Sequence, residues 1–441
     1  MLSIPYNDLL AKLPERELQD SLHEFLKPVT ALLPDTRLSA VAELMLRGIV
    51  TSQSPIVTQI ARGAEHADAT VWPTCRRAYR FLANERFDHR TLLKGLYGIA
   101  QVAVAAQAPE YLVVAVDPVN FEKPYTHALE GVSTVMKSTP PSLTGEKRLT
   151  RGYPAITATI VNLAQPAVSY ANWFSYVTED FLSQNREIYR ALRISHTLFQ
   201  GRKLRFVGDA GLDDQKIFAQ VGALNDEFVF RACHDRLVEV YNARLNRWEP
   251  ELLFELVATV PFEFKQVVVF THARKTRRVR TGFGWFKIRL PVTHQVLWAL
   301  VAHDFEDGHD LILLTNVPLE TADEVRAVYS DWRLRGRIEH GYRFDQEEGL
   351  DVEDMRVQSL ERMRRLFVLV LLAAQFVFYI GRTWARASVL WLRQLGGKLG
   401  LKSDLDGPYV LLRGISAVWQ TVSTLAFLAN HPFPRSVSTC G

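Results

Sequence analysis

Residues 321–346 read TADEVRAVYSDWRLRGRIEHGYRFDQ and combine a helix start, an apolar stripe and charged side chains. Thr321 followed by Glu324 is a capping box, which predicts that a helix begins there. At 100° per residue, the stripe that starts with Val325 and Val328 continues through four further side chains: Trp332, Arg335, Glu339 and Gln346. Burying arginine and glutamate on such a stripe is costly unless they pair or hold a metal or phosphate. The stretch is therefore a candidate site, with an interhelical ion pair as the alternative.

The composition is that of an ordinary globular protein. The chain has 441 residues, of which 48% are hydrophobic and 23% charged, and its length predicts about three domains. Cys75, Cys233 and Cys440 are too few and too scattered for a disulfide framework or a zinc site, so we expect a cytoplasmic protein. The N-terminus MLSIPYNDLLAKLPERE has no basic start followed by an apolar run, and we predict no signal peptide.

Basic residues are clustered although the net charge is only +4. The segment HARKTRRVR contributes Arg274, Lys275, Arg277, Arg278 and Arg280, and RLRGR and CRRAYR add two smaller clusters. Any one cluster is as well explained by a solvated face. Three clusters in a chain that also places acids at strand ends favour a phosphate-rich partner.

Residues 1–108 are predicted to be helical. Two pieces, SQSPIVTQIARGA and TVWPTCRRAYRFLANERF, have the features of a DNA-binding helical unit, since the second carries Arg76, Arg77 and Arg80 on a short helix. A small bundle that only packs against the rest of the chain is the alternative. The apolar run LFVLVLLAAQFVFYIG, residues 366–381, is slightly short of a membrane span, and we predict a buried core helix there and no membrane partner.

The pattern changes after residue 108. YLVVAVD predicts a buried strand that ends at Asp117, residues 153–177 predict a hairpin, and KLRFVGDAGLDD predicts a strand that ends at Asp209. Short strands with basic turns between them predict a β-rich insertion, and a second long helix from about Val352 to Arg386 is expected to cover the sheet. The predicted division is 1–108 helical DNA-binding domain, 109–232 first part of the catalytic core, 233–306 insertion, 307–395 second part of the core, and 396–441 tail of short helix and loop.

Three acids stand where ligands usually bind an open sheet: Asp117 and Asp209 at strand ends, and Glu339 on a helix that packs on that sheet. Carboxylates gathered in one pocket repel each other unless cations share them. Mg²⁺ is the natural cation because it prefers oxygen ligands, and two ions about 4 Å apart suit phosphodiester chemistry. Taken singly, each acid has an ordinary structural explanation, as a turn residue, a strand-end cap or an ion-pair partner.

The order of strand Asp, strand Asp, β insertion and helical Glu resembles bacterial insertion-sequence transposases of the DDE class, in the group with a Y-x2-R-x3-E-x6-K signature. AVD, VGDAGLDD and W-x2-R-x3-E match the three acidic motifs over roughly residues 111–386. The resemblance implies an α/β fold, with a ribonuclease H-like mixed sheet flanked by helices and interrupted by the insertion. It also implies that Asp117, Asp209 and Glu339 hold two Mg²⁺ ions, for which Mn²⁺ may substitute.

Two positions depart from the signature, with Trp332 in place of tyrosine and Gln346 in place of lysine. The aromatic character is kept, but a phosphate-binding charge is lost. In relatives an aromatic residue of the insertion stacks on a flipped base, and Trp285 and Trp298 are the candidates here, although a core role fits either.

The resemblance implies binding of double-stranded DNA at the element's inverted-repeat ends, cleavage and strand transfer, with a homodimer joining two ends. Trp332, Arg335 and Gln346 would contact the DNA terminus. The alternatives are a nuclease with the same core that cleaves without joining, and a catalytically silent DNA-binding derivative, which Gln346 favours.

Overall fold

A computed structural model describes residues 11–64, 71–124, 126, 128–137, 148–233, 235–272, 275–338, 349–400 and 407–431. Three of the predicted site residues lie outside this part of the chain: Arg274, Glu339 and Gln346. The side chain of Lys275 lies outside it as well.

The N-terminal region is helical, as predicted. Its helices are α1 (Glu15–Thr30), α2 (Thr36–Ser52), α3 (Val57–Ala64), α4 (Val71–Leu82) and α5 (His89–Gln107). Asp35 and Asp88 cap α2 and α5 by accepting hydrogen bonds from backbone N–H groups of the first turn. The backbones of α2 and α3 lie in close contact, since a Cβ on Gly48 would be only 2.2 Å from the carbonyl oxygen of Ile60.

A large mixed sheet follows. Its strands are β1 (Leu112–Glu122), β2 (Ser133–Met136), β3 (Leu149–Ile160), β4 (Ala167–Trp173), β5 (Leu204–Gly208), β6 (Glu227–Arg231), β7 (Leu237–Asn242), β8 (Arg247–Leu252), β9 (Phe264–His272), β10 (Lys275–Arg289), β11 (Val296–Asp304) and β12 (Asp310–Thr315). The order is β2-β3-β1-β5-β6-β12-β11-β10-β7-β8, with β4 paired to β3 and β9 to β10. The pairs β1–β5 and β5–β6 are parallel. The antiparallel pairing of β3 and β4 confirms the predicted hairpin.

The strands of segment 233–306 continue this sheet, because β12 pairs with β6 on one side and with β11 on the other. One detail of the prediction is wrong. Arg277, Arg278 and Arg280 do not lie in a turn but in β10, opposite β9, so this part of the basic cluster is displayed on a hairpin. Valine and threonine alternate with the arginines there, and that alternation is typical of a strand.

The remaining helices are α6 (Gln184–Leu198), α7 (Gln215–Ala223), α8 (Leu253–Val257), α9 (Ala322–Arg333), α10 (Leu360–Thr383), α11 (Arg386–Gly396) and α12 (Pro408–Asn430). By length and hydropathy α10 and α12 could each cross a membrane, yet 72% of the apolar window of α10 is buried inside the protein, against 44% for α12. The prediction of a core helix at 366–381 is confirmed. The helix starts later than predicted, after a short 3-10 turn at Val352–Asp354.

The C-terminal prediction of short helix and loop is wrong, since α12 is 23 residues long. Pro408 at its first turn is preorganised for a helix start. Leu411, Ile415 and Trp419 then recur at helical spacing and are fully or almost fully buried.

Two apolar cores lie on opposite faces of the sheet. In β1, Val114 and Val116 belong to the first core, which holds α10, α12 and the N-terminal helices. Val113 and Ala115 belong to the second core, which holds Val325 and the rest of the buried side of α9. Because successive strand residues point to opposite faces, this alternation defines the α10 face and the α9 face.

Candidate active site

The two described acids lie at the same level on neighbouring parallel strands. Val116 of β1 is the register partner of Gly208 of β5, so Asp117 and Asp209 are the next residues along each chain. Neighbouring strands run about 4.8 Å apart. Asp117 shares the α9 face with Val113 and Ala115 by the two-residue period of a strand.

The local sequence explains why Asp209 is presented at the strand end. Its carboxylate caps a 3-10 turn at Ala210–Leu212 by accepting a hydrogen bond from the N–H of Ala210. A Cβ on Gly208 would overlap a methyl group of Leu212, so a larger residue there would require the Leu212 side chain under this turn to move. The Asp209 side chain remains 44% exposed and can therefore meet a ligand from solvent.

Helix α9 brings the opening stretch onto this face. The capping box is confirmed, with Thr321 accepting from the N–H of Glu324 and the Glu324 carboxylate accepting in return. Val325 and Val328 pack into the second core. The helix then ends at Arg333, a turn follows at residues 334–335, and residues 336–338 are helical again.

The prediction of one continuous helical stripe is wrong at residues 334–335, where a turn interrupts the helix. Its later positions, Glu339 and Gln346, lie outside the described residues, so that part of the stripe stays a prediction.

The turn nevertheless keeps two of the predicted residues at the acid pair. The indole Nε1 of Trp332 donates a hydrogen bond to the carbonyl oxygen of Gly208 at 3.0 Å. The guanidinium of Arg335 lies 5.7 Å from the centre of the Trp332 ring, and its Nη1 is 3.8 Å from a carboxylate oxygen of Asp209. Ile338, the residue before Glu339, is buried in the second core.

A buried network that sequence reasoning missed fixes α9 on the sheet. Arg205 of β5 pairs with Asp331 of α9 at 2.5 Å and with Glu227 of β6 at 2.6 Å, and the Tyr111 hydroxyl donates to Asp331 at 2.9 Å. Burial raises the pKa of Asp331, and the contacts with Arg205 and Tyr111 oppose that rise. Burial and Asp331 together raise the pKa of Tyr111 to about 12. The sequence feature that could have revealed this network is Asp331, an acid that follows Val328 by three residues on the apolar stripe.

Trp285 and Trp298 lie on the β10–β11 hairpin and pack partly against the second core. The Nζ of Lys287 lies 4.8 Å from the centre of the Trp298 ring. Both tryptophans are half-buried, so each combines packing with an accessible edge. Their stacking on a base stays a prediction.

The three arginines of β10 differ in whether acidic side chains already contact them. Arg277 contacts Asp304, Glu306 and Asp307, the last at 2.7 Å. Arg278 and Arg280 are exposed on β10. They therefore carry the charge that a polyanion can meet on this hairpin.

One face of α4 is basic and aromatic. Trp72, Arg76, Tyr79 and Arg80 are exposed and spaced for one side of a helix. Arg76 lies over the Trp72 ring at 5.7 Å. Arg77 is exposed too, with one guanidinium nitrogen 2.8 Å from the Thr74 hydroxyl.

Hard oxygen ligands suit Mg²⁺, and Asp117 and Asp209 supply two carboxylates side by side. Within the described ranges no group of three His, Cys, Asp or Glu side chains could hold a metal ion. A third carboxylate would have to come from the undescribed residues, of which Glu339 follows Ile338 directly.

Comparisons with known proteins add little to this geometry. No family model matches the chain, and no curated protein matches it. Among solved structures it is similar to a cryo-EM structure of a piggyBac transposase synaptic complex with hairpin DNA, with a TM-score of 0.41 and 7% identity over 95% of this chain and 80% of that chain. A similarity this weak does not establish a shared fold, so function is argued from the residues of the site.

Proposed function

We propose that this chain is a DNA transposase of the DDE class that binds the ends of an insertion sequence and catalyses their cleavage and transfer. The observation that carries the proposal is that Asp117 and Asp209 lie at the same level where the parallel pairing of β1 with β5 ends, with the guanidinium of Arg335 3.8 Å from the Asp209 carboxylate. Glu339 would complete the triad, since the chain reaches Ile338 while still packed on the α9 face.

The strand arrangement supports the proposed ribonuclease H-like core. The antiparallel run β4-β3-β1 is followed by β5 and β6 parallel to β1, and Asp117 lies on the central strand of these five. Helices cover both faces. Asp209 directly follows β5, at the carboxyl end where ligands of open sheets bind, and Asp117 lies at the same level within β1.

The residues divide the chemical work. Asp117, Asp209 and Glu339 would hold two Mg²⁺ ions, which when bound activate the attacking hydroxyl and stabilise the leaving oxygen. Arg335 would contact a phosphate beside the scissile bond, since a guanidinium can bind phosphate through two N–H donors. Trp332 would hold the Asp209 strand end through Gly208 and pack beside the terminal nucleotide.

Two basic surfaces outside the acid pair would bind double-stranded DNA: the exposed face of α4 and the arginines of β10. We expect a homodimer that joins two ends in the bacterial cytoplasm. Gln346 in place of the signature lysine lowers the positive charge near the terminus, so phosphate binding would depend more on Arg335.

Incubation of the protein with a labelled donor end and a target plasmid in Mg²⁺ tests the proposal. Joined products identify a transposase, cleavage without joining identifies the nuclease alternative, and end binding without cleavage in Mg²⁺ or Mn²⁺ identifies a silent derivative. The Glu339→Gln variant should bind ends and yield no product. Equal product from this variant would remove Glu339 from the site.

A further inference from the structure

A cavity of about 530 Å³ lies on the other side of the sheet from the acid pair, between α5, α6 and the segment after β4. Tyr170 and Phe174 in its wall belong to the first core, whereas the acid pair faces the second. The cavity is therefore separate from the candidate active site. Its volume is in the range of small-molecule and cofactor sites.

The wall is rich in cations. It contains Arg90 and Lys94 of α5, Arg190 and Arg193 of α6, and Arg364 of α10. The side chains of Arg90, Lys94 and Arg193 form no hydrogen bond or ion pair with any residue that the structure describes. Three unpaired cations around one hollow would attract a compact ligand with two or more negative charges.

The acids in the wall do not cancel this charge. Glu187 is 2% exposed, and its carboxylate is already bound by Arg190 at 2.6 Å and by the Asn172 amide at 2.8 Å. Asp180 lies at the rim with 66% of its side chain exposed, 4.0 Å from Arg364. An incoming anion would meet the unpaired cations without displacing a buried carboxylate.

The rest of the wall is apolar and aromatic. Leu93, Ile194 and the rings of Phe174 and Phe181 line it, and those two rings stack at 5.7 Å. Burial raises the pKa of Tyr97 and Tyr170, so both phenols stay neutral at neutral pH. One side of the hollow thus suits phosphate and the other suits a planar ring.

We propose that this cavity binds a phosphorylated nucleoside, with phosphate held by Arg90, Lys94 and Arg193 and the base against Phe181 and Ile194. The ligand is either a free nucleotide or the phosphorylated terminal nucleotide of a nucleic acid strand. Both sources share the chemistry that the cavity recognises. The proposal goes beyond the transposase function and does not depend on Asp117, Asp209 or Glu339.

Calorimetric titration of the full chain tests it with three probes: deoxyadenosine 5′-monophosphate, deoxyadenosine, and a short single strand with a 5′-phosphate. The double variant Lys94→Glu, Arg193→Glu removes two phosphate contacts, and Arg413→Glu on α12 is the matched control, since all three residues are exposed. Thermal melting checks that each variant is folded.

We expect the nucleotide to bind the native chain and the Arg413→Glu control alike, and the nucleoside and the double variant to bind about tenfold less tightly or worse. If only the 5′-phosphorylated strand behaves this way, the ligand is a strand terminus rather than a free nucleotide. Absence of saturable binding by both phosphorylated probes, or equal binding by the double variant, overturns the proposal. Neither result bears on the proposed function, because that function is tested by donor-end cleavage and not by nucleotide binding.

Discussion

The indole of Trp332 is hydrogen-bonded to the carbonyl oxygen of Gly208 at 3.0 Å, directly before Asp209. This bond fastens the end of α9 to the strand that presents Asp209. Trp332 is accordingly part of how the site is positioned.

Replacing Trp332 by Phe keeps an aromatic ring and removes the N–H. We expect the free energy of unfolding to fall by about 1 kcal/mol, the value of one hydrogen bond, and donor-end cleavage to fall more than end binding. Chemical denaturation and a cleavage time course measure the two effects. Unchanged stability and unchanged cleavage would show that the bond to Gly208 does not position Asp209.

Replacing Arg205 by Met leaves Asp331 and Glu227 as buried acids without their shared cation. The free energy of unfolding should drop by about 3–5 kcal/mol. Tyr111→Phe removes a single hydrogen bond to Asp331 and should cost only about 1 kcal/mol. Urea titration of both variants checks the ranking, and a smaller loss for Arg205→Met than for Tyr111→Phe would contradict the role given to this network.

Acid should weaken the contact between α5 and α10. Burial alone would raise the pKa of Glu361, but contacts with the His89 ring and backbone N–H, at 2.7 and 2.8 Å, and with Arg365 lower it to about 2. A carboxyl with a depressed folded pKa stabilises the protein above its unfolded pKa of about 4.5. That contribution is lost as the pH falls from there towards 2. Melting temperatures across this range should decline less steeply for Glu361→Gln than for the native chain, and parallel curves would refute the prediction.

The arginines of β10 should differ in their effect on DNA binding. Arg278→Gln and Arg280→Gln each remove an exposed charge, so each should weaken end binding and lower the salt slope by about 1. Arg277→Gln is the matched control, because Asp307 and its acidic neighbours already hold that guanidinium. Fluorescence anisotropy over a salt series measures the slopes. Equal salt slopes for the three variants would show that DNA does not contact Arg278 and Arg280.

The periodicities of the sequence predicted much of the fold. The strand predicted to end at Asp117 is present but continues to Glu122, because β1 pairs with β3 beyond Asp117. The strand before Asp209, the hairpin after Tyr153 and the capping box at Thr321 are present as predicted. Each depends on neighbouring residues, so a local pattern suffices to find it. The end of α9 at Arg333 was not predictable in this way, because Trp332 and Arg337, on either side of the turn, donate hydrogen bonds to the distant carbonyl oxygens of Gly208 and Val161.

The site was predicted only in part for the same reason. Asp117, Asp209, Trp332 and Arg335 come together, and the order of motifs along the chain indicated this. The Arg205 network joins β5, β6, the residue before β1 and α9 across more than 200 residues, and no spacing rule connects them. The basic cavity between α5 and α6 likewise depends on how two helices face each other.

The most direct measurement is cleavage of a labelled donor end in Mg²⁺ by the native chain, Asp117→Asn, Asp209→Asn and the control Asp214→Asn. Asp214 caps α7 in the same loop as Asp209, and asparagine caps a helix equally well. We expect product from the native chain and from Asp214→Asn, and a loss of about a hundredfold or more in each of the other two variants with end binding kept. Cleavage at the native rate by Asp117→Asn or Asp209→Asn would contradict the assignment of the acid pair as the catalytic centre.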